Sequence, residues 1–169
     1  KLAQKWGILT LNPKTQDPIN FINTITESVG VDGVIITASS KSNQVLSTAA
    51  KISRKRGKII LVGVVGLKID RSDFYEKELS FQVSCSYGPG RYDNNYERKG
   101  FDYPLPFVRW TENRNFKAIL NLIKKKKVVV NDLITKKVLL EDFKKVYNNI
   151  NDNKNIASII KYPVINEKP

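Results

Sequence analysis

The sequence predicts an α/β fold in which helices flank a parallel β-sheet. Two stretches, 31–38 and 58–64, are nearly continuously apolar, as strands are when both faces of a sheet are covered. A third strand is expected at 79–85, and stretches with helical spacing and short connections separate the strands. Strands that alternate with helices in this way pair in parallel through right-handed crossovers.

The first elements are marked by residues that begin and end helices. Residues 2–6 are typical of the last turns of a helix, and a short strand is expected at 8–12. Asp17 is typical of an N-cap, and Pro18 suits the first helical position that follows it. The helix that begins there is expected to reach Gly30, with its apolar face formed by Ile19, Ile22, Ile25 and Val29.

The later elements follow the same reasoning. A helix is expected between the first two apolar strands, from Asn43 to Arg56, with Gly57 as its last capping residue. The stretch 86–110 has no periodicity and many aromatic residues, which predicts a long ordered loop. The remaining elements are expected to be a helix over 112–126, a strand at 133–134, a helix over 141–150 and a strand over 156–162.

Composition restricts the chemistry. The 169 residues include no histidine and one cysteine, Cys85, so metal centres, histidine catalysts and internal disulfides are not expected. This cysteine usage fits a reducing cytoplasm. No apolar run has transmembrane length, and no membrane partner is expected. The sequence also lacks methionine, which indicates a piece of a longer protein.

The charge raises a second class of function. A net charge of +13 and a pI near 9.8 are typical of proteins that bind nucleic acid. The lysines are spread along the chain, however, and the one dense run, Lys124–Lys127, follows the apolar part of a helix. A solvated last turn explains that run without a nucleic-acid partner.

Several motifs, in order, resemble the medium-chain dehydrogenase/reductase superfamily, which includes the zinc-type alcohol dehydrogenases. The best matches are Gly-Val-Asp-Gly-Val-Ile-Ile-Thr-Ala at 30–38 and Gly-Lys-Ile-Ile-Leu-Val-Gly-Val at 57–64. Further similar segments occur at 74–79, 132–135 and 140–143, so the resemblance covers nearly the whole chain. It implies the later part of a nucleotide-binding domain.

The aromatic loop is similar to that of one subgroup. Its motifs are Ser-Tyr-Gly-Pro-Gly-Arg-Tyr-Asp at 86–93, Asp-Tyr-Pro at 102–104 and Val-Arg-Trp-Thr-Glu-Asn-Arg-Asn at 108–115. In that subgroup a second oxidoreductase module often follows, and the proteins are associated with surface-polysaccharide gene clusters. This last link is an analogy of fold and context.

The resemblance implies an incomplete Rossmann-like domain. The first strand and the glycine-rich loop that would hold the pyrophosphate are expected to be missing, as is the catalytic domain. It also implies a division into a partial dinucleotide-binding domain, 1–128, with the aromatic loop at 86–110, and a return segment, 129–169. Lys136 stands where relatives commonly have histidine, and Ala157 lies near a basic position of some relatives.

Ligands of open parallel sheets bind at the carboxyl ends of the strands, which gives candidate site residues. With the family resemblance, the candidate cofactor-binding residues are Thr37, Ala38, Ser39, Ser40, Val62, Gly63, Val64, Ser84, Cys85 and Ser86. Tyr87, Arg109 and Trp110 are candidate substrate residues, and Arg114 is similar in character. The same residue types also occur in packed strand ends, and arginines stack on aromatic rings as surface structure. No catalytic or metal-binding residue is expected in this chain.

The implied function is that of an NAD(P)-dependent oxidoreductase that acts on a small alcohol-like or sugar-like substrate, with this chain alone inactive. NAD or NADP would be the cofactor. The alternative is a non-catalytic, basic Rossmann-like domain that serves in interactions or binds nucleic acid. A homo-oligomer is expected as well, because loss of a central strand would expose the edges of the strands led by Leu9 and Ile35.

Overall fold

The computed structural model describes residues 2–152 and 154–163 and divides the chain into two compact units, Lys1–Tyr103 and Pro104–Pro169. The elements of the first unit are α1 (Leu2–Lys5), α2 (Pro18–Ile25), β1 (Val31–Ile36), α3 (Gln44–Ile52), β2 (Ser53–Leu61), α4 (Arg71–Tyr75), β3 (Ser80–Val83) and α5 (Asn94–Glu97). Those of the second are α6 (Glu112–Lys124), β4 (Ile134–Leu139), α7 (Phe143–Asn148) and β5 (Ala157–Lys161). Short 3-10 turns precede β4 and α7.

The sequence boundary proposed between 128 and 129 falls inside the second unit. The division into a partial dinucleotide-binding domain and a return segment stays a prediction. Residue 153 and residues 164–169 of the proposed return segment lie outside the described part of the chain.

The first unit contains a three-stranded parallel sheet in the order β1-β2-β3. Ile35 pairs with Ile60 across the first ladder, and Ile60 pairs with Gln82 across the second. The helices flank these strands, so the predicted α/β class, with a partial Rossmann-like parallel sheet, is confirmed.

The core of this unit lies between β2 and α3. Ile59, in the middle of the central strand, is completely buried, and Leu46 and Ala50 of α3 are nearly as inaccessible. Ile36 and Leu61, at the carboxyl ends of neighbouring strands, complete the apolar cluster together with Ala49 and Val65. The central strand therefore anchors the unit.

The predicted start of α2 is confirmed, but its predicted end is wrong. The Asp17 carboxylate accepts a hydrogen bond from the amide of Ile19 at 3.0 Å. The helix ends at Ile25 and not near Gly30. The Thr26 hydroxyl donates to the carbonyl of Ile22 at 2.7 Å and accepts from the amide of Gly30 at 3.0 Å, so a side chain closes the helix one turn early.

The predicted end of α3 is also wrong. The helix stops at Ile52, and β2 begins at once, although a helix was expected to reach Arg56. The ammonium group of Lys77 donates to the carbonyls of Ala50, Lys51 and Ser53 at 3.1, 2.7 and 2.8 Å. The Ala50 carbonyl also accepts from the amide of Ser53, and the lysine adds a donor to all three carbonyls at the helix end. A distant lysine thus caps the helix.

The short strand expected at 8–12 is wrong as well. These residues have no regular structure, and Leu9 is largely exposed. A strand is stable only when another strand pairs with it, and no described strand runs beside this segment.

The second unit has a two-stranded parallel sheet. Lys137 of β4 pairs with Ile159 of β5, and β4 is longer than the strand expected at 133–134. The Thr135 hydroxyl donates to Asn155 at 2.7 Å and accepts from the amide of Ile156 at 3.1 Å. No apolar side chain of this unit is fully buried among the described residues.

Candidate functional site

The carboxyl ends of the three strands in the first unit lie at one edge of the sheet, because the strands are parallel. Residues 37–40 follow β1, residues 62–64 follow β2, and residues 84–86 follow β3. All ten candidate cofactor residues thus belong to the three segments that leave this edge, which we call the carboxyl edge.

Main-chain hydrogen bonds join the first two segments. The amide of Gly63 donates to the carbonyl of Ile36 at 2.8 Å, and the amide of Val64 donates to that of Ala38 at 3.0 Å. The amide of Ser40 donates to the carbonyl of Val64 at 2.9 Å, and Ser39 and Val64 form an isolated parallel bridge. The carboxyl edge is therefore held by backbone, beyond the end of the regular ladder.

Gly63 allows this close approach. A Cβ atom at this position would lie 2.1 Å from the carbonyl oxygen of Ala38, which is backbone and cannot move aside. Beside the glycine, Val62 and Val64 are 55% and 75% exposed. The edge therefore presents backbone and small apolar side chains, a surface that a flat ligand can approach closely.

The third segment is tied to the central strand by the amide of Ser84, which donates to the carbonyl of Leu61 at 2.8 Å. Cys85 follows and is exposed. The amide of Gly88 donates to the Cys85 carbonyl at 3.3 Å, so the chain turns into the aromatic loop directly after the edge.

The first half of the aromatic loop, residues 87–103, is folded on itself. The guanidinium group of Arg91 contacts the rings of Tyr92 and Tyr87, with centroid distances of 4.6 and 5.7 Å, and donates through Nη1 to Glu97. Glu97 belongs to the short helix α5, which the aperiodic sequence did not predict. Asp93 caps this helix by accepting from the amide of Asn95 at 2.8 Å.

A second polar pair supports the loop. The Tyr103 hydroxyl donates to Asp93 at 2.5 Å, and its ring stacks on Tyr96 with a centroid distance of 5.7 Å and an interplanar angle of 25°. The hydrogen bond lowers the pKa of Asp93 and raises the pKa of Tyr103. The Tyr103 proton is therefore held firmly by the carboxylate at neutral pH.

The Arg91–Glu97 pair shifts the pKa values of its two members in the same way as the Asp93–Tyr103 pair. The hydrogen bond between Arg91 and Glu97 lowers the pKa of the carboxyl group and raises that of the guanidinium group. Both side chains stay charged through the neutral range. Arg91 Nε is buried and has no hydrogen-bond partner within the described part of the chain.

The remaining candidate substrate residues belong to the second unit. Arg109 stacks over the Trp110 ring, with 4.3 Å from Cζ to the centroid, and Trp110 is about half exposed. Arg114 donates to the carbonyl of Val108. Arg109 and Trp110 are thus side by side, while Tyr87 lies in the first unit.

Among the described residues, no group of three or more His, Cys, Asp and Glu side chains could hold a metal ion. Residues 2–152 and 154–163 also contain no helix that is long and apolar enough to cross a membrane.

Sequence reasoning missed the polar pairs of the loop and the role of Lys77. Asp93 is a residue type favoured at the N-cap, a local signal that could have predicted α5. The cap by Lys77 joins residues 24 to 27 positions apart, and no local pattern indicates it.

The sequence matches no family model and no curated protein. Solved structures, in contrast, share its fold. An alcohol dehydrogenase from Thermus sp. ATN1 is 16% identical, with a TM-score of 0.70 over 95% of this chain and 40% of that one. For 2R,3R-butanediol dehydrogenase from Bacillus subtilis the identity is 20%, with a TM-score of 0.70 over 96% and 40%.

A benzyl alcohol dehydrogenase from Acinetobacter calcoaceticus is similar at 19% identity, with a TM-score of 0.67 over 96% of this chain and 39% of that one. The chain therefore has the fold of part of these dehydrogenases and spans about two fifths of their length.

Proposed function

We propose that this chain forms part of the nucleotide-binding domain of an NAD(P)-dependent oxidoreductase of the medium-chain dehydrogenase/reductase superfamily. The observation that carries the proposal is the shared fold over 95–96% of the chain with an alcohol dehydrogenase and a butanediol dehydrogenase. The ordered motifs of the sequence support the same assignment. The parent protein would transfer a hydride between a nicotinamide cofactor and an alcohol-like or sugar-like substrate, in the cytoplasm.

The carboxyl edge fits a dinucleotide. Gly63 lies flush against Ala38, and only small side chains occur at Thr37, Ser39 and Ser40, so a flat ring can contact the backbone. Bound there, the cofactor supplies the hydride chemistry. The residues that would hold it are Thr37, Ala38, Ser39, Ser40, Val62, Gly63, Val64, Ser84, Cys85 and Ser86. The candidate substrate residues stay Tyr87 in the first unit and, separately, Arg109 and Trp110 in the second.

The chain alone should be inactive and should bind dinucleotide weakly. The 169 residues contain no G-x-G-x-x-G motif, whose backbone and helix N-terminus hold the pyrophosphate in Rossmann-like domains. The carboxyl edge would contact only the remainder of the ligand. We therefore expect a dissociation constant in the range of about 1 mM or weaker.

Titration with NADH, followed by amide chemical shifts, tests this proposal. The shifts should be confined to residues 37–40, 62–64 and 84–86. Ser40→Glu should abolish them, because the added carboxylate repels the dinucleotide phosphates, whereas Thr24→Glu on α2 should leave them unchanged. Shifts that occur elsewhere, or a dissociation constant of about 1 μM for the chain alone, would contradict the proposal.

We also propose that the chain self-associates through β1. Among the described strands β1 pairs only with β2, so its other edge is open, and Ile35 on this strand is 70% exposed. A groove of about 460 Å³ runs beside it, with an apolar lining that includes Pro13, Val34, Val45, Ala49 and Ile52. Open apolar edges pair with other chains.

Light scattering at low micromolar concentration tests the association. The unmodified chain should be larger than a monomer, and Ile35→Lys should be monomeric because a buried lysine at the new interface is costly. Ile25→Lys, on the exposed face of α2, is the matched control and should not change the size. A monomeric unmodified chain would refute this assignment of the edge.

A further inference from the structure

The two ends of the sheet in the first unit differ in charge. Residues 51–58, where α3 ends and β2 begins, include five cations and no acidic residue. The cations are Lys51, Arg54, Lys55, Arg56 and Lys58. The three segments of the carboxyl edge contain no charged side chain. A count of lysines alone does not reveal this run, because arginines complete it.

A bulge in β2 brings these cations out of the sheet. Between two paired positions, β1 advances from Val31 to Gly33, while β2 advances from Ser53 to Lys58. The extra residues of β2 leave the ladder, and such bulges redirect side chains. Arg56, inside the bulge, has left-handed backbone with φ of 60°. The bulge therefore gathers positive charge at the amino end of the central strand.

Two of the lysines in this run are free to meet a ligand. The arginines are paired with acidic side chains, Arg54 with Asp32 and Arg56 with Glu78. The ammonium groups of Lys51 and Lys55, in contrast, make no hydrogen bond or ion pair among the described residues, and both side chains are exposed. An anion that binds here would therefore not have to displace an internal partner from either lysine.

Two adjoining clefts lie at the amino ends of the strands. Gly30, which precedes β1, and Ser53, the first residue of β2, line the first cleft, which has a volume of about 560 Å³. Leu79, which precedes β3, lines the second, which has a volume of about 640 Å³. Lys55 and Glu76 line both. The two clefts, which we call the amino-edge clefts, are therefore continuous, and a chain-like ligand can occupy both.

The amino-edge clefts combine positive charge with a stacking surface. Lys51 and Lys55 line the first cleft, and Arg71 and Tyr75 of α4 line the second. The guanidinium group of Arg71 lies over the Tyr75 ring, with 3.8 Å from Cζ to the centroid, and Tyr75 is 64% exposed. Nucleic-acid bases stack on aromatic rings and on guanidinium planes, while lysines follow the phosphates.

We propose that the amino-edge clefts bind single-stranded nucleic acid, with phosphates at Lys51 and Lys55 and a base on the Arg71–Tyr75 stack. A duplex suits the clefts less well, because its bases are paired and cannot reach Tyr75. An acidic polypeptide has charge but no base to stack. The site lies at the opposite end of the strands from the carboxyl edge, and it goes beyond the proposed oxidoreductase function.

Fluorescence anisotropy of labelled oligonucleotides with the whole chain tests the site. Oligothymidine of about 12 nucleotides should bind with a dissociation constant of about 100 μM or tighter at about 50 mM salt. A duplex of the same length and polyglutamate should each bind at least about fivefold more weakly. Oligouridine is the RNA arm. Binding of either single strand supports the site, and the tighter one identifies DNA or RNA as the ligand.

The lysines are tested by a pair of double variants. Lys51→Gln with Lys55→Gln should weaken oligothymidine binding about fivefold or more. It should also lower the slope of log K against log salt by about 1.4, because each contact with a single-stranded phosphate contributes about 0.7. The matched control, Lys124→Gln with Lys125→Gln, removes the same charge from the second unit and should change binding by less than about twofold.

The stacking surface and the acidic residue have separate tests. Tyr75→Ala should weaken oligothymidine binding about fivefold or more, but should not affect an abasic oligomer of the same length. Tyr162→Ala, at an exposed tyrosine of the second unit, is the control. Glu76→Gln should strengthen binding about twofold or more, because it removes a negative charge that lines both clefts. Misfolding of the variant cannot produce such a gain.

Absence of oligothymidine binding, equal binding of polyglutamate or of the duplex, or an equal loss in the control lysine variant would overturn the proposal. Weaker binding by Glu76→Gln would do so as well. The NADH titration concerns the opposite end of the sheet. Either proposal can therefore be refuted while the other stands.

Discussion

The two units of the chain differ in how their sheets are supported. In the first, β2 lies between two partners and buries Ile59 and Leu61 against α3. In the second, β4 and β5 pair only with each other, and burial alternates between partial and exposed along β4. A two-stranded sheet without a buried apolar layer is marginal by itself. The first unit therefore has an apolar core of its own, whereas the described residues of the second unit include no fully buried apolar side chain.

The largest expected effect is the loss of Ile59, on the central strand of the first unit. Ile59→Ala should destabilise the first unit by about 3–4 kcal/mol, because it removes a completely buried side chain and leaves a cavity. The matched change Ile160→Ala, in β5, should cost about 1 kcal/mol, since that side chain is only half buried. Urea denaturation of both variants provides the measurement, and equal losses would remove the distinction between the units.

Gly63→Ala tests the main-chain contacts that join residues 37–40 and 62–64 at the carboxyl edge. The new Cβ atom would clash with the Ala38 carbonyl, so we expect a loss of about 2–3 kcal/mol. Gly33→Ala is the control, because its Cβ atom would meet its nearest neighbour at an ordinary 3.7 Å. Alanine there should stabilise the strand by about 0.5 kcal/mol. Thermal melting should show a lower melting temperature for Gly63→Ala and a higher one for Gly33→Ala. Shifts of the same sign would argue against a close contact between Gly63 and the Ala38 carbonyl.

Lys77→Met tests the cap of α3. Removal of the ammonium group leaves three carbonyls without this donor, and we expect a loss of about 1–2 kcal/mol. Lys145→Met, in the second unit, removes an exposed ion pair with Asp142 and should have no measurable effect. Hydrogen exchange of the α3 amides distinguishes the two variants. An unchanged exchange rate in Lys77→Met would show that the cap is dispensable.

The smallest effect is one of pH and is confined to the loop. Hydrogen bonds lower the pKa values of Asp93 and Glu97 from ordinary values of 3.8 and 4.5, so their stabilising contacts are fully present above those values. They are lost as the pH falls through the lowered values, below about pH 4. Amide shifts of residues 91–103 should therefore change in that window, while those of β2 stay constant. A loop transition near neutral pH would contradict this assignment.

Sequence periodicity was sufficient to predict the α/β class, the parallel sheet and the N-cap at Asp17. The N-cap depends on adjacent residues, and the continuous apolar runs arise because both faces of the sheet are covered. The ends of α2 and α3 could not be predicted. Thr26 closes one helix through a hydroxyl bond to the i−4 carbonyl, which threonine also makes inside helices, and Lys77 reaches the other from a separate element.

In the candidate site, too, the features that depend on distant contacts could not be predicted. The carboxyl edge could be located, since parallel strands bring their ends together. The pairs Arg91–Glu97 and Asp93–Tyr103 depend on how an aperiodic loop turns, which five left-handed residues of the segment 87–100 decide. The strand expected at 8–12 failed for a related reason, because pairing depends on a partner that local sequence does not reveal.

The main-chain hydrogen bonds at the carboxyl edge have an evolutionary consequence. These hydrogen bonds, from Gly63, Val64 and Ser40, all run from main chain to main chain. The side chains at Thr37, Ser39 and Val62 therefore take no part in maintaining them and can be exchanged without loss of the architecture. Mutation can thus change the side chains that this edge presents while the scaffold is inherited unchanged, which is how one fold diversifies into many specificities.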